Sequence, residues 1–145
     1  MNIIWGVVLI IFSLLAWGGQ IITAFSPKIA TKIGLAEPES DVDPTFYIDI
    51  RGESLWDTLI LWTLPVAGIL LLINSNLWIY FGLVGGGMYL YFAGRGIIVR
   101  LVMEYNGIRI GNRKTLKTIY LFLTMCGLIA IITIILAVIA LPLPT

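Results

Sequence analysis

Histidine is absent from this sequence, and cysteine occurs once, as Cys126 within an apolar run. Without histidine the chain has no residue for a histidine-ligated haem or for a catalytic triad that uses histidine as its base. Zinc and iron–sulfur sites built from cysteine and histidine are excluded for the same reason, and a single cysteine forms no disulfide within the chain. We therefore expect no metal site, no catalytic set of these kinds and no cofactor bound by this chain itself.

Charged residues are also scarce. They make up 12% of the 145 residues, whereas a soluble domain has roughly 25%. Hydrophobic residues make up 59% of the chain, and the mean hydropathy is +1.01, so we expect most of the chain to lie in lipid. The length suits one domain. The net charge of +1 argues against nucleic acid as a partner.

Four apolar runs account for this composition, and they cover residues 2–25, 55–73, 77–100 and 115–141. Each is close to the roughly 20 residues that a helix needs to cross a hydrocarbon core of about 30 Å. The predicted fold class is therefore an all-α integral membrane protein, a four-transmembrane-helix antiparallel bundle formed by the single domain 1–145. Because the first run has no basic segment before it and no small-residue cleavage site, we expect a retained transmembrane helix rather than a signal peptide.

Helix-start signals lie between the first two runs. Ser26-Pro27 predicts a short interfacial helix after the first span, and Gly34 predicts its end. Asp43-Pro44 repeats the signal and predicts a helix that leads into the second span. Within that span Pro65 predicts a kink, because proline removes a backbone hydrogen bond and clashes with the preceding turn.

The third run carries a cluster of glycines. Gly82 and Gly86 have the small-xxx-small spacing that lets two membrane helices approach closely, and Gly85 and Gly87 widen the same smooth patch. We predict these four residues as a helix-packing face. Such a face would suit another membrane subunit or a second copy of the chain.

Charge is confined to two connections, and to the span ends next to them, on one side of the predicted bundle. The region between the first two spans has three basic and seven acidic residues, a net charge of −4, and the region around the third connection has six basic residues and one acidic residue, a net charge of +5. We expect these two connections to attract each other and form a cap. The positive-inside rule predicts that they are cytoplasmic in a cell or inner membrane and that both chain ends lie outside.

The ionisable residues next to the spans predict one polar pocket at a common membrane depth, because such groups face the bundle interior or a wet cavity and usually pair. The ligand expected is an anionic or carbonyl-bearing lipid-soluble molecule, such as a quinone head group or a lipid phosphate, with Tyr89, Tyr91 and Phe92 on the apolar wall. The candidate residues are Gln20, Arg51, Glu53, Asp57, Tyr89, Arg95 and Arg100. The alternative interpretation is a belt of salt bridges that only fixes helix depth.

Residues 20 to 100 also resemble a family. Phe25-x-Pro27, Gly34, an acidic loop and Arg51-Gly52 before the second span are similar to a pattern in the DoxX-like proteins, small four-span bacterial membrane proteins. The chain departs from that pattern in lacking a charged N-terminal segment. The resemblance implies a four-helix membrane bundle, a link to quinone-dependent oxidoreductases as a small membrane subunit, and Arg51 and Gly52 as site residues.

Three functions are compatible with these patterns. The first is an accessory or structural subunit of a membrane complex, with the glycine face as its contact. The second is a stand-alone binder or enzyme that acts on a quinone or lipid at the cytoplasmic interface. The third is a self-associating transport protein. The expected partners are membrane lipids, other membrane subunits or further copies of the chain, and a quinone or lipid ligand.

Overall fold

The computed structural model describes residues 2–141, which form helices joined by turns and short loops. The helices are α1 (Asn2–Phe25), α2 (Pro27–Lys32), α3 (Pro44–Ile60), α4 (Thr63–Leu72), α5 (Trp78–Tyr105) and α6 (Arg113–Ile139), and a 3₁₀ turn covers Glu39–Asp41. Helices α1, α5 and α6, and α3 with α4 taken together, are each long and apolar enough to cross a membrane. The predicted all-α fold with four long apolar helices and a short helix after the first is confirmed, and the chain has the architecture of a small four-span membrane protein.

The helix starts follow the sequence signals. The Asp43 carboxylate accepts a hydrogen bond from the Thr45 amide at 2.8 Å, so Asp43 caps α3, and Pro44 occupies the first helical position. Asn112 caps α6 by accepting from the Thr115 amide at 3.0 Å. The second and fourth spans begin before their apolar runs, α3 at Pro44 and α6 at Arg113, because these polar caps rather than the first apolar residues decide where a helix begins. The third span, α5, continues past its apolar run to Tyr105.

The second span is broken, as Pro65 predicts. Helix α3 ends at Ile60 and α4 begins at Thr63, so the break lies about one turn before the proline. Proline has no N–H for the carbonyl four residues earlier, which is that of Leu61. The break separates a half that carries acidic residues, α3, from an apolar half, α4.

The bundle order follows from contacts between neighbouring helices. Helix α1 packs along α3 and α4, α4 packs on α5, and α5 packs on α6, whereas α1 and α6 hardly touch. The contacts show the relative direction of neighbouring helices. The start of α1 lies beside the end of α4, and the second half of α5 lies beside the first half of α6. The neighbouring helices are therefore antiparallel, and the bundle is least closed between α1 and α6.

Apolar side chains lie both inside the bundle and on its outside. The core contains Leu9, Leu61, Leu64, Tyr89 and Leu123, all nearly inaccessible. Large apolar side chains are also exposed along each of the four long helices, on surface that would be costly in water and suits lipid.

The glycines of α5 lie mostly within the bundle. A side chain at Gly85 would meet the backbone nitrogen of Leu64 at 2.8 Å, and one at Gly86 would meet Ile134 Cγ1 at 2.7 Å. Gly82 lies beside Thr133, while nothing lies within 4 Å of the corresponding position at Gly87. Three of the four predicted packing glycines thus contact this chain's own α4 and α6, and Gly87 faces open space.

The two charged connections pack together over one end of the bundle. The Asp43 amide donates to the Arg109 carbonyl at 2.7 Å, and Asn112 donates to Glu37 Oε1 from its side chain at 2.8 Å. Val42, Phe46, Ile110 and Leu116 form a small second core beneath these bonds. Hydrogen bonds and apolar contacts, rather than ion pairs, therefore join the loops in the described part of the chain.

Candidate ligand-binding site

Arg95 lies near the charged end of α5 and is neutralised by α3. Its guanidinium is 2.7 Å from Asp49 Oδ1 and 2.8 Å from Glu53 Oε1. Asp49 and Glu53 are four residues apart, which places both carboxylates on one face of α3. The Glu53 side chain is only 8% exposed, and that of Arg95 is 25% exposed. The pair fixes the depth of α5 against α3, and two carboxylates offset the one cation.

Arg100 lies five residues further along α5 and has different surroundings. One guanidinium nitrogen donates to the Gly96 carbonyl at 2.7 Å, and the guanidinium carbon lies 5.6 Å from the centre of the Phe46 ring. Within residues 2–141 no carboxylate is close enough to form an ion pair with it, and its buried Nε has no hydrogen-bond partner. Arg100 is thus held in place by a carbonyl and an aromatic ring, with its charge uncompensated at close range.

A cavity of about 310 Å³ lies at this end of the bundle, between α1, α3, α5 and α6. Arg100, Glu53 and Gln20 line it on the polar side, and Phe92, Phe122 and Leu123 are among its apolar lining residues. Such a volume is at the lower end of the range for small-molecule sites. A smaller cavity of about 40 Å³ shares Arg100, Thr23 and Leu35 with it and reaches toward the capping loops.

The cavity opens where α1 and α6 are separated. Leu15 of α1 and Thr118 of α6 line it and are themselves exposed, as are Gly34 and Leu35 after α2, and α1 and α6 make few contacts with each other. Gly19 also lines the cavity, and a side chain there would have only Leu35 Cδ1 nearby, at 3.9 Å. The opening therefore lies on the side of the bundle, next to surface that suits lipid.

The structure brings together only part of the predicted residue set. Gln20, Glu53 and Arg100 line the larger cavity, and Arg95 contacts it indirectly through Glu53. Arg51 is exposed and lines only the smaller cavity. Gly52 is also exposed, and a Cβ added there would have no contact within 4 Å beyond its own stretch of helix.

Asp57 and Tyr89 lie deeper in the bundle and do not line either cavity. Each is 1% exposed, and the Tyr89 hydroxyl donates to the Ser13 carbonyl of α1 at 2.8 Å. Tyr89 thus links α5 to α1 below the cavity. Of the expected aromatic wall, Phe92 lines the cavity, whereas Tyr91 is 54% exposed and faces outward.

Other lining residues were not predicted from the sequence. Gly19, Thr118 and Phe122 lie on α1 and α6, and Phe46, which supports Arg100, lies on α3. These residue types are common in membrane helices, so the sequence does not mark them as cavity residues. Only the packing of the four spans shows that they line a cavity. Thr118 has the one available signal, since it is a polar residue in an apolar run beside Lys114 and Lys117.

Comparison of this chain with protein-family models, with curated proteins and with solved structures finds no match. The resemblance to DoxX-like proteins therefore stays a prediction, as does any role taken from it.

Proposed function

We propose that this four-span membrane protein binds a lipid-soluble molecule with a polar head group, and that it does so in the 310 Å³ cavity at the charged end of the bundle. The observation that carries the proposal is the cavity itself, with a polar side formed by Arg100, Gln20 and Glu53 and an apolar side formed by aromatic and aliphatic residues. Binding sites for small molecules combine such an apolar lining with a few polar groups that orient the ligand.

The position of the opening supports the same proposal. A ligand that dissolves in the membrane would reach the cavity sideways, between α1 and α6, without passing through water. Its head group would then lie among the polar residues at the level of Arg100, and its apolar part beside Phe92 and Phe122. A quinone and a lipid each combine a polar head group with an apolar tail, so both are candidate ligands.

A role as an accessory subunit remains a prediction with less geometric support. Gly82, Gly85 and Gly86 contact α4 and α6 of the same chain, so the face expected to bind another subunit is largely occupied. We also propose that the capping loops are cytoplasmic and both chain ends external, because the basic residues are concentrated in those loops.

Two adjacent glycines of α1 provide a test of ligand binding. Gly19→Leu should fill the cavity, whereas Gly18→Leu adds the same side chain at a position with nothing within 4 Å and outside the cavity lining. The three proteins would be purified in mild detergent, and the bound lipids and quinones would be extracted and measured by mass spectrometry. We expect the wild type and Gly18→Leu to retain a molecule that is enriched over the membrane extract. In Gly19→Leu the amount of that molecule per protein should fall by about tenfold or more, because losing about 1.4 kcal/mol of binding free energy lowers the affinity tenfold. Equal retention by both variants would contradict the proposal.

A further inference from the structure

We infer that the head group bound in the cavity is anionic, a phosphate or carboxylate on a lipid-soluble tail, and that Arg100 binds it. This inference rests on the proposed function, because it names the chemical class of the ligand for the same cavity.

The first argument is the balance of charge around the cavity. Two charged residues line it, Glu53 and Arg100. The Glu53 carboxylate is 2.8 Å from Arg95, so its charge is offset by a cation on the same side. Arg100 has no carboxylate at ion-pair distance in residues 2–141. Arg100 is therefore the charged lining residue without an ionic partner at contact distance, since Glu53 and Asp49 act on it only at longer range. An anionic head group would supply that close partner.

The second argument is the number of free donors. A guanidinium has five N–H donors in a planar fork that matches the oxygens of a carboxylate or phosphate. Among the described residues, Arg100 makes one hydrogen bond, to the Gly96 carbonyl. Its Nη2 is accessible and makes no hydrogen bond, so this nitrogen is free to donate to a ligand, whereas Nε is buried and has no partner. A carbonyl oxygen of a quinone would accept one bond, whereas an anionic head group accepts several and also offsets the charge.

The third argument is preorganisation. The Gly96 carbonyl and the Phe46 ring hold the guanidinium from two sides, so it does not need to be ordered when a ligand binds. Gln20 lines the same cavity and makes no side-chain hydrogen bond in the part of the chain that the structure describes, so its amide N–H groups are available as further donors. Arg100 and Gln20 together provide N–H donors at the polar side of the cavity, beside the Glu53 carboxylate that Arg95 binds.

Probes that share one tail separate the head-group classes. Oleoyl lysophosphatidic acid has an anionic phosphate, oleate has a carboxylate, and mono-oleoylglycerol has a neutral head on the same acyl chain. Decylubiquinone provides neutral carbonyls, and inorganic phosphate provides the anion without a tail. Binding of each would be measured by native mass spectrometry of the purified protein in nonionic detergent. We expect the two anionic lipids to bind at least about tenfold more tightly than the neutral probes, and inorganic phosphate to bind far more weakly than either.

Three arginine variants identify the residue. Arg100→Gln should lower affinity for the anionic lipids by about tenfold or more and leave the neutral probes unchanged. Arg100→Lys keeps the charge without the fork, and we expect it to keep the preference for anions with weaker binding. Arg113→Gln removes an exposed cation that lines neither cavity, so it should bind like the wild type. If Arg100→Gln does not fold, the Arg100→Lys result and the probe series still decide the question.

The outcomes distinguish this inference from the proposed function. Equal binding of anionic and neutral probes, or an Arg100→Gln protein that binds anionic lipids normally, would overturn the anionic head group, while loss of binding in Gly19→Leu would still support the cavity. Equal losses of affinity for the anionic lipids in Arg100→Gln and Arg113→Gln would also overturn it, because the net positive charge of the protein, rather than Arg100, would then explain the binding. Binding of inorganic phosphate as tightly as the lipids would overturn the lipid-soluble tail. Binding that Gly19→Leu does not reduce would overturn both proposals.

Discussion

Arg95 and Arg100 show how two like residues on one helix differ through their neighbours. Arg95 is paired with Asp49 and Glu53, and Arg100 contacts a carbonyl and an aromatic ring. A structural ion pair and the proposed anion site therefore lie about one and a half turns apart. The sequence analysis placed both arginines in one polar pocket, or in one belt of salt bridges. In the structure Arg95 forms salt bridges, whereas Arg100 lines a cavity.

The Arg95 ion pairs make a prediction about stability. Replacing Arg95 with methionine would leave Asp49 and Glu53 together without a cation, and Glu53 is 8% exposed. Breaking a buried pair costs several kcal/mol and an exposed pair less than one, so we expect a loss of about 2 kcal/mol for this partly buried site. The measurement is unfolding by SDS titration in mixed micelles.

The matched control for Arg95 is Arg113→Met, which removes an exposed cation and should change stability by less than about 0.5 kcal/mol. Equal losses in the two variants would show that Asp49 and Glu53 do not depend on Arg95 in the folded protein.

At the scale of elements, the glycines of α5 set how closely the helices approach. Gly85 faces the backbone of α4 at Leu64, and Gly86 faces Ile134 of α6, so the middle of α5 lies between two neighbours. The break before Pro65 lies close to this contact. Helix α4 packs on α5, whereas α3 makes few contacts with α5 and leads back to the capping loops.

Gly85 and Gly87 form a matched pair for testing this packing. In Gly85→Ala the new Cβ would lie 2.8 Å from the Leu64 backbone nitrogen, which cannot move without moving α4, so we expect a loss of about 1–3 kcal/mol. In Gly87→Ala nothing lies within 4 Å, and the better helix propensity of alanine should leave stability unchanged or raised by up to about 1 kcal/mol. Unfolding in mixed micelles measures both, and a Gly85→Ala protein as stable as Gly87→Ala would contradict the close approach.

At the scale of the whole molecule, all charge is gathered at one end of an antiparallel bundle. Within residues 2–141, the opposite end consists of the polar turn around Ser75 between α4 and α5, the start of α1 and the end of α6. Two connections of opposite net charge join at the charged end and enclose a small core of their own. The cavity lies between this cap and the main core.

Orientation in the membrane is testable by cysteine labelling, since the single native cysteine, Cys126, is buried and replaceable by alanine. In that background, Asn76→Cys reports on the α4–α5 turn and Ser40→Cys on the capping loops, and both positions are exposed. With a membrane-impermeant maleimide we expect labelling of Asn76→Cys in intact cells and of Ser40→Cys only after lysis, because basic loops stay in the cytoplasm. The reverse pattern would invert the proposed orientation and place the cavity at the outer surface.

The sequence by itself determined the four apolar helices, the short helix after the first, the capped start at Asp43-Pro44 and the break near Pro65. Each of these features depends on residues that are close together in the sequence: runs of apolar residues, N-cap side chains, and a proline without an N–H. The sequence therefore shows them directly. It also determined that charge lies at one end of the bundle.

Only the tertiary structure decided which of the charged residues are paired and which face a cavity. Arg95 meets residues more than forty positions away, and the cavity needs Gly19, Arg100 and Thr118 from three separate helices. Those meetings depend on helix rotation and on close contacts such as that between Gly85 and Leu64, which the spacing of residues along one helix does not specify.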